Sequence, residues 1–176
     1  MMQKTLIVIA SLVALFFIIG FTLSPEFDFE KSIIIKSSPD KIHPYVNDLK
    51  LWTKWSPWQE IEPGKVITYG NVTKGIGASQ TWKGPTSNGR LYITVSSPSN
   101  GIAYDEFLGN NKNPYICAIE YKLLESGSTK VTWRIHGEVE MSMLGGYTAL
   151  IVKSMFSDMY KKGLLKLKWI VENKTE

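Results

Sequence analysis

Hydrophobic positions along this chain fall into three successive patterns. Residues 5–23, TLIVIASLVALFFIIGFTL, form an unbroken apolar run without a charge. From residue 29 to about residue 141, apolar side chains recur every second position in short runs separated by Gly, Pro, Ser and Asn. That is the period of half-buried β-strands. Over residues 150–171 the period changes again. Val152, Phe156, Met159, Gly163, Leu167 and Ile170 fall on one helical face, with Asp158, Lys161, Lys162, Lys168 and Glu172 opposite. An apolar stripe this wide is buried against a partner, and the partner on offer is the strand-rich middle. The pattern predicts an α+β domain with one long C-terminal helix across an antiparallel sheet.

Taken in order, Phe29, Lys31, Ile33 and Ile35 share one face of a first strand. Ser38-Pro39 reads as an N-cap followed by proline at the first helical position. It opens a short helix over residues 39–46 that Ile42 and Val46 pack down and Pro44 weakens. The run LWTKWSPW places Trp52, Trp55 and Trp58 three residues apart, and Ser56-Pro57 stops a helix there. These indoles either plug one end of the core or rim the mouth of a pocket. Strands follow over residues 66–70, 78–83, 90–97, 102–108, 115–125 and 130–138. In the third of these, Leu91, Ile93 and Val95 alternate against Tyr92, Thr94 and Ser96. Tyr115, Cys117, Ile119, Tyr121 and Leu123 share one face of the fifth, and Val131, Trp133 and Ile135 one face of the sixth. Residues 141–147 read as a flexible, glycine-containing approach to the last helix.

The first apolar run is long enough to cross a bilayer, since its nineteen residues rise about 28 Å as a helix. A cleaved signal peptide is the rival. Its apolar core is shorter and ends at a small-x-small site, for which Gly20-Phe21-Thr22 is a poor match. The expected organisation is therefore a membrane anchor over residues 1–23, a linker over residues 24–28 containing Pro25, and a domain over residues 29–173. Lys4 before the run favours a cytoplasmic amino terminus, and so a domain on the non-cytoplasmic side.

Composition narrows the chemistry. The formal charge of +4 is spread over scattered lysines, with no basic block interleaved with aromatics, so a nucleic-acid partner is not expected. A single cysteine, Cys117, excludes an internal disulfide framework, and two histidines are too few for an ordinary metal centre. No cofactor is implied. His136 alternates with Val131, Trp133 and Ile135 and so is expected to face solvent. His43 is placed on a surface helix. Cys117 lies on an apolar strand face, where it acts as a small hydrophobe. Asp105 and Glu106 are adjacent in a strand and point to opposite faces.

Several segments together carry a family resemblance: Ile35-Lys36-Ser37-Ser38-Pro39 running into Ile42 and Val46; Asn47-Asp48 before Trp52; Trp55-Ser56-Pro57-Trp58; Gly75 and Gly77 before Trp82; Gly127 and Thr129 before Val131 and Trp133; and Gly163-Leu164 with Leu167-Lys168. In this order the chain resembles the START-like (SRPBCC) superfamily, and within it the polyketide cyclase/dehydrase-like group. The resemblance spans nearly all of residues 29–171. It implies a helix-grip fold, a curved antiparallel sheet wrapped on one long C-terminal helix, with a cavity between them. Ile33, Ile35, Trp82, Ile93, Cys117, Ile119, Tyr121, Trp133, Phe156, Met159 and Gly163 are the expected lining, with Gly163 leaving space on the helix. Such walls suit a small hydrophobic or lipid-like ligand. The family carries no shared catalytic motif. An enzyme of cyclase or dehydratase type would need Tyr121, Glu106 or His136 turned inward and within hydrogen-bond reach of one another. A structural or partner-binding domain would instead have its core filled.

Overall fold

The computed structural model describes residues 2–139 and 144–173. Helix α1 (Met2–Thr22) is followed by strand β1 (Glu26–Ile35), helix α2 (Pro39–Asn47), a 3-10 turn (Leu49–Leu51) and two one-turn helices, α3 (Trp52–Trp55) and α4 (Trp58–Ile61). Six strands follow: β2 (Val66–Tyr69), β3 (Ser79–Lys83), β4 (Asn88–Ser97), β5 (Gly101–Leu108), β6 (Tyr115–Leu123) and β7 (Thr129–Glu138). Helix α5 (Gly145–Asn173) ends the described chain. The seven strands form one antiparallel sheet in the order β1-β7-β6-β5-β4-β3-β2. The first strand thus closes against the last, and α5 lies on the β1 side of the inner face.

The structure departs from the pattern most at the start of β1, at the start of α5 and within β4. Strand β1 begins at Glu26, inside the stretch read as linker, because buried Phe27 continues the alternation of Phe29 and pairs with Gly137. Helix α5 begins at Gly145 rather than residue 150, its two opening glycines notwithstanding; residues 141–143 of the expected flexible approach lie outside the described chain. In β4 the register slips between Ile93 and Val95. Such a bulge adds one residue to one strand and reverses the facing beyond it. Val95 is therefore exposed, and Ser96 turns inward in its place.

The helix stripe behaves as its spacing requires. Phe156, Met159, Gly163 and Leu167 are buried, with Val152 and Ile170 half-buried at its margins. Side chains of this kind contribute about 1.5–3 kcal/mol each when taken out of water. Opposite them, the Trp133 indole of β7 lies flat on the Tyr160 ring of α5, 4.1 Å between centroids and 7° between planes. Trp52 and Trp55 pack edge-on against that indole at 6.2 and 5.2 Å. Their own indole nitrogens donate to the Val46 and Tyr45 carbonyls, at 2.7 and 2.9 Å, fixing α3 on the end of α2.

Gly163 does not leave the space expected of it. A Cβ there would stand 2.8 Å from Cζ3 of Trp133 and 3.2 Å from Cδ of Pro57, so the missing side chain is what lets the indole reach the helix. Gly163→Val is expected to lower stability by about 2 kcal/mol through overpacking. Urea denaturation of the detergent-solubilised chain checks this; an unchanged midpoint would refute the tight contact.

Candidate functional site

The alternation of Gln80 and Trp82 on β3 sends both side chains to the inner face, where both are buried. Trp82 lies against Gly89 of β4, its cross-strand partner. A Cβ at Gly89 would come within 2.3 Å of the indole, so only glycine seats the ring there. With Trp58, Lys65, Ile67, Leu91 and Glu106 they line a pocket under the β2 edge of the sheet. The enclosed space is about 20 Å³, room for one water molecule.

The Lys65 ammonium closes this pocket. It stands 5.1 Å from the ring centre of Trp58 and 5.5 Å from that of Trp82, a cation between two indoles. It also pairs with Glu62 at 3.2 Å. The Glu62 carboxylate is itself a clasp. It accepts from the Thr86 N–H at 2.7 Å, the Thr86 hydroxyl at 2.8 Å, the Ser87 N–H at 2.8 Å and the Ser87 hydroxyl. These donors, the Ser87 hydroxyl foremost, hold Glu62 well below the usual carboxylate range. One side chain thereby ties the loop carrying Lys65 to the β3–β4 turn.

Glu106 is the pocket's unusual wall. It is 3% exposed, on the inner face of β5 between Leu91 and Tyr115. Burial pushes its carboxyl up to about 7, a rise that the Lys65 charge and the Cys117 thiol, 3.8 Å away, partly offset. Beside it the Tyr104 hydroxyl accepts the Trp133 indole N–H at 2.8 Å. Burial likewise pushes the Tyr104 and Tyr160 hydroxyls and the Cys117 thiol well up, so none of the three ionises near neutrality. Two further buried polar atoms, Oε1 of Gln80 and Nε1 of Trp82, have no hydrogen-bond partner among the described residues. Buried groups of this kind ordinarily meet a protein, water or ligand partner.

Of the residues expected to line a cavity, Trp82 alone lines this pocket. Ile35, Ile93, Cys117, Ile119, Trp133, Phe156 and Met159 are all buried in the core, and Ile33 is packed at its margin. Tyr121 is buried at the far end, its ring 6.0 Å from that of His43. Between sheet and helix the space around Gly163 holds Trp133 and Pro57. The tryptophan run divides: Trp52 and Trp55 are core plugs, and Trp58 is a pocket wall.

The proposed catalytic trio does not assemble. His136 points outward from β7, in register with Asp28 and Ile116. Glu106 pairs with Tyr115; Tyr121, six residues further along β6, is about 20 Å away at strand rise. His43, expected at the surface, is buried instead. Its Nε2 lies 3.0 Å from the Asn47 amide and 3.2 Å from the Ser96 hydroxyl. Burial, with the Lys74 charge, lowers its pKa. Lys65, Gln80, Ile67 and Leu91 were not anticipated as site residues; only the shared face of Gln80 and Trp82 hinted at one of them. No group of three or more metal-ligating side chains occurs among the described residues.

With this geometry established, solved structures provide the comparison. The protein CV1439 from Chromobacterium violaceum superposes with a TM-score of 0.61 at 13% identity, over 84% of this chain and 98% of that one. The Aha1 dimer from Colwellia psychrerythraea gives 0.57 at 16% identity, over 85% and 99%. Ara h 8.0201 gives 0.55 at 13% identity, over 83% and 97%. No family model matches the sequence, and none of the curated proteins matches it. The likeness shows the fold: the chain shares with these structures the helix-grip arrangement of an antiparallel sheet on one long C-terminal helix.

Glu106 gives the site a pH signature. Its folded pKa lies above the value near 4.5 of a free side chain. Its contribution to stability is therefore full below pH 4.5 and is lost as pH rises through 7. Glu106→Gln removes that dependence. Relative to the parent, the variant should gain about 3 kcal/mol between pH 4.5 and 8, read from urea midpoints across that range. Parallel pH profiles would refute a buried neutral carboxyl.

Proposed function

We propose that this chain is a membrane-anchored helix-grip module that binds a small hydrophobic ligand carrying one neutral hydrogen-bonding group. The observation that carries this reading is the pair of buried polar atoms without a partner among the described residues, on Gln80 and Trp82, in a pocket walled by two indoles and a carboxyl whose pKa burial raises to about 7. A hydroxyl on the ligand would meet both atoms, donating to Oε1 of Gln80 and accepting from Nε1 of Trp82, and its apolar body would lie between the indoles. A charged head group is disfavoured, because Lys65 is already paired with Glu62 and Glu106 is desolvated.

A ligand pocket ordinarily measures about 300–1,000 Å³. Entry therefore requires Trp58 and Lys65 to move outward, and the Glu62 clasp sets how far their loop can travel. Deeper penetration, toward Cys117 and Phe156, would displace the aromatic stack. Native mass spectrometry of the chain purified with its own lipids and metabolites should find a bound species. An apolar dye should compete with it, and Ile67→Trp, which fills the pocket from its half-exposed edge, should abolish both signals. No bound species and no dye binding would overturn the reading. A domain that instead serves as a structural or partner-binding unit is favoured by the filled helix–sheet interface, and that result would support it.

Support for anchoring comes from α1, of which residues Gln3–Thr22 have a mean hydropathy of 2.6 and almost no surface covered by the domain. A 21-residue helix is about 31 Å long, close to the bilayer's hydrocarbon thickness. The full chain is expected to resist carbonate extraction, and external protease on intact cells should reach the domain. A soluble mature protein starting near Ser24 would refute the anchor. Protection from external protease would reverse the orientation.

A further inference from the structure

Helix α5 carries a second apolar stripe, on the face turned away from the sheet. Leu144, just before the helix, Tyr147, Ile151 and Met155 follow one another at spacings of three, four and four and so share one face. That face is opposite the buried Ala149 and Phe156. Asp158 is the next residue on the outer face, so the stripe ends after the helix's first three turns. Ile151 is 68% exposed, Met155 51% and Leu144 40%; Leu150 on the flank is 58% exposed.

This stripe is continuous with the apolar surface of α1. Tyr147 stacks on Phe16 of α1, 4.6 Å between centroids and 3° between planes, and its hydroxyl donates to the Phe16 carbonyl at 2.9 Å. Gly146 presses on Leu23, where a Cβ would stand 2.2 Å from the leucine's own Cβ. Phe16 lies about 9 Å back from Thr22 along the helix axis, so Tyr147 reaches well below the end of α1. The connection adds no freedom. Only Leu23, Ser24 and Pro25 separate α1 from β1, and the Pro25 carbonyl accepts the Val139 N–H at 3.0 Å. A domain tied this closely to a membrane-spanning helix must rest on the bilayer, and the surface it turns toward α1 is the start of α5.

We propose that the first three turns of α5 lie in the headgroup–acyl boundary of the bilayer, with Leu144, Ile151 and Met155 toward the lipid and Tyr147 between lipid and α1. The proposal rests on the anchor reading. The exposed carboxylates at the same junction, Glu26, Asp28 and Glu138, oppose an electrostatic attachment to anionic lipid. Burial of apolar side chains is the driving force, as for interfacial helices generally, so neutral lipid suffices and salt does not weaken it. α5 thus uses both faces: one fills the domain core and the other seats the domain on the membrane.

The test uses the full chain reconstituted in phosphatidylcholine vesicles, with a nitroxide at Ile151→Cys or Met155→Cys and, as references, at Asp158→Cys and Val13→Cys. The native thiol, Cys117, is fully buried. Power-saturation measurements compare collision with oxygen, which concentrates in lipid, against a water-soluble nickel complex. Labels at 151 and 155 should favour oxygen, the label at 158 should favour nickel, and raising the salt should leave this ordering unchanged. If 151 and 155 behave like 158 while 13 is lipid-exposed, docking is overturned and the anchor stands. A water-exposed label at 13 overturns both. Shielding of 151 and 155 from both reagents would mean that a second copy covers the stripe, and it overturns the lipid assignment. Each of the two positions is exposed and tests the proposal independently.

Discussion

The contact on which the domain depends is the one between β7 and α5, where Trp133 stacks on Tyr160 beside Gly163. Aromatic pairs of this kind contribute about 0.5–1.5 kcal/mol beyond the area they bury. Their larger consequence here is geometric. Glycine at 163 lets the helix approach until an indole fills the gap, and Trp52 and Trp55 then close the end of the layer. The Tyr104 hydroxyl accepts the one polar hydrogen the Trp133 ring must bury. Helix, sheet and the α3 turn are thereby fixed to one another through a single side chain.

Because that interface is filled, open space is displaced to the opposite edge of the sheet. There the inner face carries Gln80 and Glu106 where an apolar residue would pack. Polar atoms without partners raise the free energy of the closed state. A carboxyl in the same place has its pKa raised, because ionising there carries that cost. Lys65 is held over the indoles by the Glu62 clasp, and not by Glu106, so the fixed ion pair sits at the pocket's rim while burial disfavours charge inside it. The selectivity proposed above follows from that separation of charge from cavity.

The junction with α1 puts a different demand on α5. Its opening glycines are poor helix formers, yet the helix starts at Gly145. The absence of side chains there admits Leu23 and Pro25. Contact with the preceding helix outweighs local propensity. The same turns that grip the sheet therefore also grip α1, and the domain's attitude toward that helix is fixed by packing rather than left to a linker.

Periodicity by itself determined the seven-strand order of elements, the long C-terminal helix and its buried stripe, since 2.0 and 3.6 residue repeats are local properties of the chain. It also marked the apolar run of α1, the isolation of Asp105 from Glu106, and the outward His136. Where its expectations differed from the structure, the outcome depended on neighbours distant in sequence. Whether Gly163 opens a cavity or admits a ring turns on Trp133, thirty residues earlier. Val95 faces out because β5 pairs with β4 across a bulge. His43 is buried because β4 and β6 cover α2 there. The pocket joins Trp58, Lys65, Gln80 and Glu106 from four separate segments, so no window of sequence contains it. Only the folded sheet sets their distances, and only burial raises the pKa of an otherwise ordinary glutamate.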